Sequence, residues 1–216
     1  MRYLAVAFPE SARSLTNLVE SISRSIDGVF LLGGIPEPDR LTAYLQSLGL
    51  EIVGVTSSLD DHYAASILEK QGALVEGRLK ALNGGLLVAG INGRDPATSI
   101  AQLREKLAGL EGRTIILGYH APRGCGDKIP GLEARIGLWE LKELIEKTKP
   151  LLYITSRSPL PEACKIGSTL VLSIGWLQNR DYTVLELPLP YWEHKKTSSI
   201  RSPKHIEPAP RQPKTG

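Results

Sequence analysis

The feature that most constrains the fold is a regular alternation of short apolar runs and amphipathic segments early in the chain. Residues 2–8, 28–33 and 51–55 form apolar runs of strand length. The intervening residues 11–25 and 38–48 place leucine, valine and isoleucine at the spacing of one helix face. Strands that alternate with helices pair in parallel, so this pattern predicts a βαβαβ unit.

The rest of the chain keeps its helices but becomes richer in strands. The further elements that the apolar spacing predicts are helices at 60–71, 97–109 and 136–147 and strands at 113–119, 150–154, 168–173 and 181–187. Asn83-Gly84-Gly85 predicts a hairpin turn between short strands of 73–91. The last two strands have no helix between them. A mixed α/β sandwich of two sheets covered by helices therefore fits better than one doubly wound sheet.

The formal net charge of +3 is unevenly placed along the 216 residues. Residues 191–216 carry six basic and two acidic side chains, which leaves a net charge of −1 for residues 1–190. The six basic residues are Lys195, Lys196, Arg201, Lys204, Arg211 and Lys214. The same segment holds four prolines and few apolar residues, so it cannot bury enough surface to offset its ordering entropy.

The charge split predicts a folded domain over 1–190 and a basic, proline-rich, extended tail over 191–216. Two roles are open for the tail. It is either a solubilising terminus or a segment that binds an anionic polymer, and RNA is the polymer we expect. Tyr191-Trp192 at the junction is a candidate anchor for a partner, because aromatic residues concentrate binding energy at interfaces.

Composition excludes several classes of protein. A hydrophobic content of 42% excludes a disordered chain, and no apolar run reaches the roughly 18 residues of a membrane-spanning helix. The apolar N-terminus ends at Pro9-Glu10, so we expect a cytoplasmic protein without a membrane partner. One methionine and two cysteines indicate a thermophilic source. Cys125 and Cys164 are too few for a four-cysteine zinc site and are either free or bridged to each other.

Polar residues follow the predicted strands, where α/β folds place their chemistry. His120 either bonds a neighbouring loop or pairs with Glu10, which otherwise serves as an acid at a helix N-terminus. Residues 60–62, Asp-Asp-His, form either a metal cluster or the first turn of a helix. Thr155-Ser156-Arg157-Ser158 is either an ordinary polar loop or, with Arg123, an anion-binding pocket.

The order of these loops resembles that of the calcineurin-like metallophosphoesterases over most of residues 1–187. The matching segments are LAVAFPES (4–11), LLGGIPEPDRL (31–41), VGVTSSLDD (53–61), ILGYHAPRGCGDKIPG (116–131), IGLWELKELIEKTKPLLYITSRSP (136–159) and IGSTLVLSIG (166–175). The resemblance implies a four-layer αββα sandwich, in agreement with the strand order.

The family's metal ligands do not match. The residues at the vestigial site positions are Phe8, Glu10, Gly34, Ser58, Leu59, His120, Ser156 and Ser158. Of the family's ligands His120 alone is retained, with Glu10 as a candidate second. Gly34 replaces the carboxylate that bridges two cations. Phenylalanine and glycine offer no side-chain lone pair, and serine hydroxyls bind divalent ions poorly. We therefore expect that the two-metal site is lost, with no metal or other cofactor.

The resemblance and the tail together predict a catalytically inactive scaffold subunit of an RNA-containing assembly, with the ribosome as one candidate and with the tail contacting nucleic acid. A protein partner on the folded domain is also open. Two alternatives remain: a weak, remodelled metal-dependent phosphoesterase, and a metal-free phosphate or nucleotide sensor that uses Arg123 and Arg157. The three tryptophans, Trp139, Trp176 and Trp192, are either core or interface residues, and for Trp139 we expect the core.

Overall fold

A computed structural model describes residues 1–129, 131 and 134–187. The strands within these residues are β1 (Arg2–Val6), β2 (Gly28–Leu32), β3 (Glu51–Val55), β4 (Leu79–Ala81), β5 (Leu87–Ile91), β6 (Thr114–Gly118), β7 (Leu152–Thr155), β8 (Pro161–Ile166), β9 (Thr169–Ile174) and β10 (Thr183–Glu186). The α-helices are α1 (Ala12–Ile22), α2 (Pro38–Ser47), α3 (His62–Lys70), α4 (Pro96–Lys106) and α5 (Trp139–Thr148).

The strands form two sheets. The first sheet has the order β10-β1-β2-β3, with β1, β2 and β3 parallel and β10 antiparallel to β1. The second has the order β4-β5-β6-β7-β9-β8, in which β4 and β8 are the antiparallel edges. The βαβαβ unit and the hairpin at residues 83–85 are therefore confirmed.

Alternating side chains divide the core into three layers. In β2, Phe30 and Leu32 lie between the two sheets, whereas Val29 and Leu31 lie under α1, α2 and α3. A third cluster joins α4 and α5 to the outer face of the second sheet. Side chains on a strand alternate between its faces, so a fully apolar strand serves two layers at once. The predicted four-layer αββα sandwich is confirmed.

Two predictions about local structure were incomplete or wrong. Strand β8 was not predicted, because its residues PEACKI are mostly half-exposed and include charged side chains, as is common at a sheet edge. Trp139 was expected in the core, but it is 59% exposed on the first turn of α5. The tail of residues 191–216, with its six basic side chains, lies outside the described residues. Among those that are described, no helix is long and apolar enough to cross a membrane.

A disulfide joins Cys125 to Cys164, which decides the alternative that the sequence left open. The Cα atoms lie 6.0 Å apart, and the two residues are separated by 39 positions. The bond ties the loop after β6 to the edge strand β8. Both cysteines pack against the cluster beneath α4 and α5, so the bridge secures the outer part of the second sheet.

Reducing this disulfide is expected to lower the free energy of unfolding by about 4 kcal/mol, because closing a loop of this length constrains the unfolded chain. Chemical unfolding with and without dithiothreitol measures the difference. A Cys125→Ala/Cys164→Ala variant serves as the control and should not respond to dithiothreitol. An unchanged unfolding midpoint for the reduced wild-type protein would contradict this expectation.

Candidate functional site

Loops from both sheets meet at the carboxyl ends of the parallel strands. The Ser156 hydroxyl, after β7, donates to the Leu32 carbonyl at the end of β2, at 2.7 Å. The Trp176 indole donates to the Ser156 carbonyl at 2.8 Å. Phe8 N donates to the Gly33 carbonyl at 3.1 Å. The structure thus brings to one edge of the sandwich several of the segments that follow the predicted strands.

Aromatic rings occupy this edge of the sandwich. The Phe8 ring centroid lies 5.1 Å from that of Trp176 and 6.0 Å from that of Tyr119. Tyr119 in turn meets the His120 ring edge-on, with 5.1 Å between centroids. The Arg157 guanidinium lies 5.1 Å from the Tyr119 ring centroid and donates to the Tyr119 hydroxyl. The site is therefore apolar where a metal centre would need oxygen and nitrogen ligands.

Phe8 and Gly34 fit each other closely. Both residues have positive φ, 47° for Phe8 and 64° for Gly34. A Cβ atom on Gly34 would lie 2.4 Å from Cδ1 of Phe8 and 2.9 Å from its Cα. Gly34 therefore leaves the space that Phe8 fills, and no larger residue fits at position 34 while Phe8 stays in place.

The hydroxyl groups predicted to bind an anion are committed to the protein itself. Thr155 Oγ1 donates to the Tyr119 carbonyl at 3.0 Å, and Ser156 donates to Leu32 as described. The Ser158 hydroxyl accepts a bond from Leu160 N at 3.2 Å. All three serine and threonine residues are buried. They fix the loop after β7 to its neighbours.

The predicted Asp60-Asp61-His62 group divides into three separate roles. Asp60 is buried and accepts four hydrogen bonds, from Gly34 N at 2.9 Å, Ile35 N at 2.8 Å, and the Ser57 N and Oγ at 2.7 Å each. Asp61 caps α3 by accepting from Ala64 N at 2.9 Å, so the helix-start alternative is confirmed for this residue. His62 is exposed and lies 3.5 Å from Arg94.

His120 bonds a neighbouring loop. Its Nε2 lies 2.9 Å from the Gly93 carbonyl. Burial lowers the pKa of His120; the bond to Gly93 opposes this effect, and the Arg157 charge lowers the pKa further. Glu10 is exposed and does not pair with His120, so that alternative was wrong.

The remaining predicted site positions do not converge on one pocket. Ser58 is exposed, and Leu59 is 76% exposed beside an open groove of about 520 Å³. The groove is also lined by Ile35, Glu37, Pro38, Asp39, Asp60, Asp61 and Tyr63. Arg123 contacts the Trp139 ring and the Arg135 carbonyl, whereas Arg157 contacts Tyr119. These contacts do not assemble the single anion pocket that was predicted from the two arginines.

Sequence reasoning missed a polar network at the carboxyl ends of β3 and β5. Glu76 accepts from the Thr56 N at 2.7 Å and the Thr56 hydroxyl at 2.6 Å, and its other oxygen accepts from Asn92. Asn92 Oδ1 then accepts from the backbone of Arg94 and Asp95. The position of Asn92 just before α4 was a signal for a turn, but nothing local marked Glu76. Within residues 1–129, 131 and 134–187, no three histidine, cysteine or acidic side chains are grouped as metal ligands.

Replacing Gly34 with alanine is expected to destabilise the protein by about 3 kcal/mol. Roughly 1–2 kcal/mol comes from a Cβ at positive φ, and the rest from the collision with Phe8. Gly72 is a matched control, because it has φ of 63° and open space around its Cβ position. We expect Gly72→Ala to cost only about 1 kcal/mol. Chemical unfolding compares them, and equal losses would show that Phe8 moves aside freely.

The lowered pKa of His120 predicts a pH dependence of stability. The pKa of the histidine is about 6.5 in the unfolded chain and lower in the folded protein. As pH falls through this interval, the unfolded state binds more protons, so the wild-type protein loses stability. A His120→Gln variant should lose less between pH 7 and pH 5. NMR titration of the His120 ring tests the cause directly, and Arg157→Gln is expected to raise its pKa. A ring that titrates at or above about pH 6.5 would refute this account.

Comparisons with known proteins concern the fold and part of the sequence. No family model matches this chain. A fructose operon regulatory protein from Vibrio cholerae is 28% identical over 115 residues, covering 50% of this chain and 35% of the regulator. This chain thus spans about a third of that relative's length.

This chain also matches solved structures at low sequence identity. One superposes with a TM-score of 0.65 at 15% identity, covering 86% of this chain and 95% of its own. A purple acid phosphatase from yellow lupin (Lupinus luteus) seeds superposes with a TM-score of 0.49 at 11% identity. That match covers 81% of this chain and 44% of the phosphatase. The first of these similarities supports the α/β sandwich and nothing finer.

Proposed function

We propose that this chain is a phosphoesterase-fold protein without metal-dependent catalysis, and that it serves as a binding subunit of an RNA-containing complex. The observation that carries the first half is the fit between Phe8 and Gly34. Phe8 fills the space that a side chain at position 34 needs, and in the resemblance described above position 34 is that of the bridging carboxylate. Without this carboxylate, nothing offsets the repulsion of two adjacent cations.

The nearest buried carboxylate supports the same proposal. Asp60 bonds Gly34 N directly, but it accepts four hydrogen bonds in all. Three of these bonds fall on Oδ2 and one on Oδ1, so the protein uses most of the roughly four lone-pair sites of this carboxylate. His120, the one retained ligand position, is bonded to Gly93. Metal binding here would have to break contacts that hold the loops in place.

The second half of the proposal rests on the sequence of residues 191–216. Six basic and two acidic side chains in 26 positions suit an extended contact with phosphates, and the ribosome is one assembly of this chemistry. Counterion release makes such binding strongly dependent on salt. The folded domain then acts as a scaffold that positions the tail.

The compartment and source are linked proposals. Disulfides persist in oxidising compartments and, inside cells, in hyperthermophiles. A cytoplasmic location for a protein with the Cys125–Cys164 bridge therefore fits a thermophilic source, as its low methionine content also suggests.

RNA binding by the full-length chain tests the tail. We expect a Lys195→Gln/Lys196→Gln/Arg201→Gln variant to bind a labelled single-stranded RNA more weakly at 50 mM salt. The negative slope of log K against log salt should become shallower by about 2, because three phosphate contacts are lost. Arg13→Gln/Arg24→Gln/Lys70→Gln removes the same charge from exposed positions of the folded domain and should leave the slope unchanged. Equal slopes for both variants would show that the tail does not bind RNA.

The two alternative functions predict opposite results in simple assays. Manganese-dependent hydrolysis of a generic phosphodiester, abolished by His120→Ala, would establish a remodelled enzyme and overturn the proposed inactivity. A thermal shift on adding nucleotides, lost in Arg157→Gln, would favour the metal-free sensor. We expect neither, because His120 and Arg157 are both bonded within the protein.

A further inference from the structure

An exposed indole lies close to the loop that follows His120. Trp139 begins α5 and is 59% exposed. Its place is fixed by the preceding residue, since Leu138 N donates to the Ala121 carbonyl at 2.9 Å and the Leu138 carbonyl accepts from Arg123 N at 3.0 Å. Because residues 121–123 follow His120 directly, these bonds hold the start of α5 beside the loop after β6. The exposed part of the indole leaves apolar surface that a partner can cover.

Two cationic side chains lie over the indole ring. The Arg123 Cζ lies 5.8 Å from the centroid of Trp139, and the Lys142 Nζ lies 5.2 Å from it. Arg123 is oriented by a 2.7 Å bond from its guanidinium to the Arg135 carbonyl. Lys142 lies on the next turn of α5, 3.8 Å from Glu146 in an exposed ion pair. Such exposed pairs are weak, so a phosphate can compete for the lysine.

Further positive charge continues from Arg123. The backbone of Arg135 pairs with that of the exposed Lys128 in an isolated β-bridge. The Arg135 guanidinium donates to the buried Asp127 carboxylate at 2.9 Å. The described acidic side chains on α5 include Glu140 in its first turn, Glu143, which pairs with Arg104 and Lys147, and Glu146. We call Trp139, Arg123 and Lys142 the indole platform. It combines one exposed indole with two cationic groups, at 5.8 Å and 5.2 Å from the ring centroid.

This combination suits one chemical class of ligand. Aromatic side chains stack on the π-faces of unpaired bases, and neighbouring arginine and lysine bind the phosphates that connect them. A double helix keeps its bases stacked on each other, so the ligand must be single-stranded. We propose that the indole platform binds a base and the adjoining phosphates of single-stranded RNA. The choice of RNA over DNA rests on the proposed function; the stacking does not.

The second exposed aromatic of the cleft edge provides a contrast. Tyr63 is 51% exposed and lines the groove with Leu59. Glu37, Asp39 and Asp61 line the same groove, and these carboxylates repel phosphates. Tyr63 is therefore about as exposed as Trp139, but its neighbours are acidic where those of Trp139 are basic. This difference makes Tyr63→Ala a matched control.

The test measures binding of the full chain to a labelled ten-nucleotide oligouridine by fluorescence anisotropy. We expect Trp139→Ala to weaken binding by about tenfold or more, as for the loss of one stacked base. Trp139→Phe should retain most of the affinity, because a phenyl ring still stacks. Lys142→Gln should reduce the salt slope by about 0.7, the value for one phosphate contact on a single strand. Tyr63→Ala should bind as the wild-type protein does.

Each outcome separates the platform from the tail. If Trp139→Ala binds like the wild type while the tail variant binds weakly, the platform proposal is overturned and the proposed function stands. If Trp139→Ala binds weakly and the tail variant normally, the platform is supported and the tail contact is overturned. If uridine monophosphate binds as tightly as the oligonucleotide, the site is a nucleotide pocket and the single-strand proposal is overturned. Equal weakening in Trp139→Phe and Trp139→Ala, with unchanged thermal unfolding, would overturn stacking as the cause.

Discussion

The Asp60 carboxylate holds together the two loops on which the candidate site is built. It accepts from Gly34 N and Ile35 N in the loop after β2, and from the backbone and hydroxyl of Ser57 in the loop after β3. Hydrogen bonds to a charged acceptor are stronger than neutral ones, and these are buried. The bonds fix the backbone of Gly34 against Phe8. They also set one wall of the groove that carries Leu59 and Tyr63.

Most of the architecture could be predicted from the sequence, because its signals are local and periodic. The run GVFLL is apolar throughout, as expected of a parallel strand buried on both faces, and Val29 and Phe30 do serve different layers. The turn chemistry of residues 83–85 and the cap at Asp61 were equally local. Strand β8 lacked such a signal, because an edge strand with one exposed face carries charged residues that resemble a loop.

The site was predictable in its position but not in its contacts. Phe8, Gly34 and Ser156 follow different strands, and parallel strands bring their carboxyl ends to one edge. What each side chain bonds depends on how distant loops meet. Glu76 reaches Thr56 and Asn92, and His120 reaches Gly93, across separations that no periodicity encodes. Trp139 was expected in the core but lies on an exposed turn beside two cations, and these neighbours too depend on how loops meet.

The interlock between Phe8 and Gly34 also bears on how such a protein can change over generations. A side chain introduced at position 34 meets the Phe8 ring, and removing the ring first leaves a gap between Tyr119 and Trp176. Either substitution alone gives a less stable protein, and avoiding that state requires both substitutions at the same time. Selection acting one mutation at a time therefore faces a barrier at this pair. The Phe8–Gly34 pair therefore resists stepwise replacement.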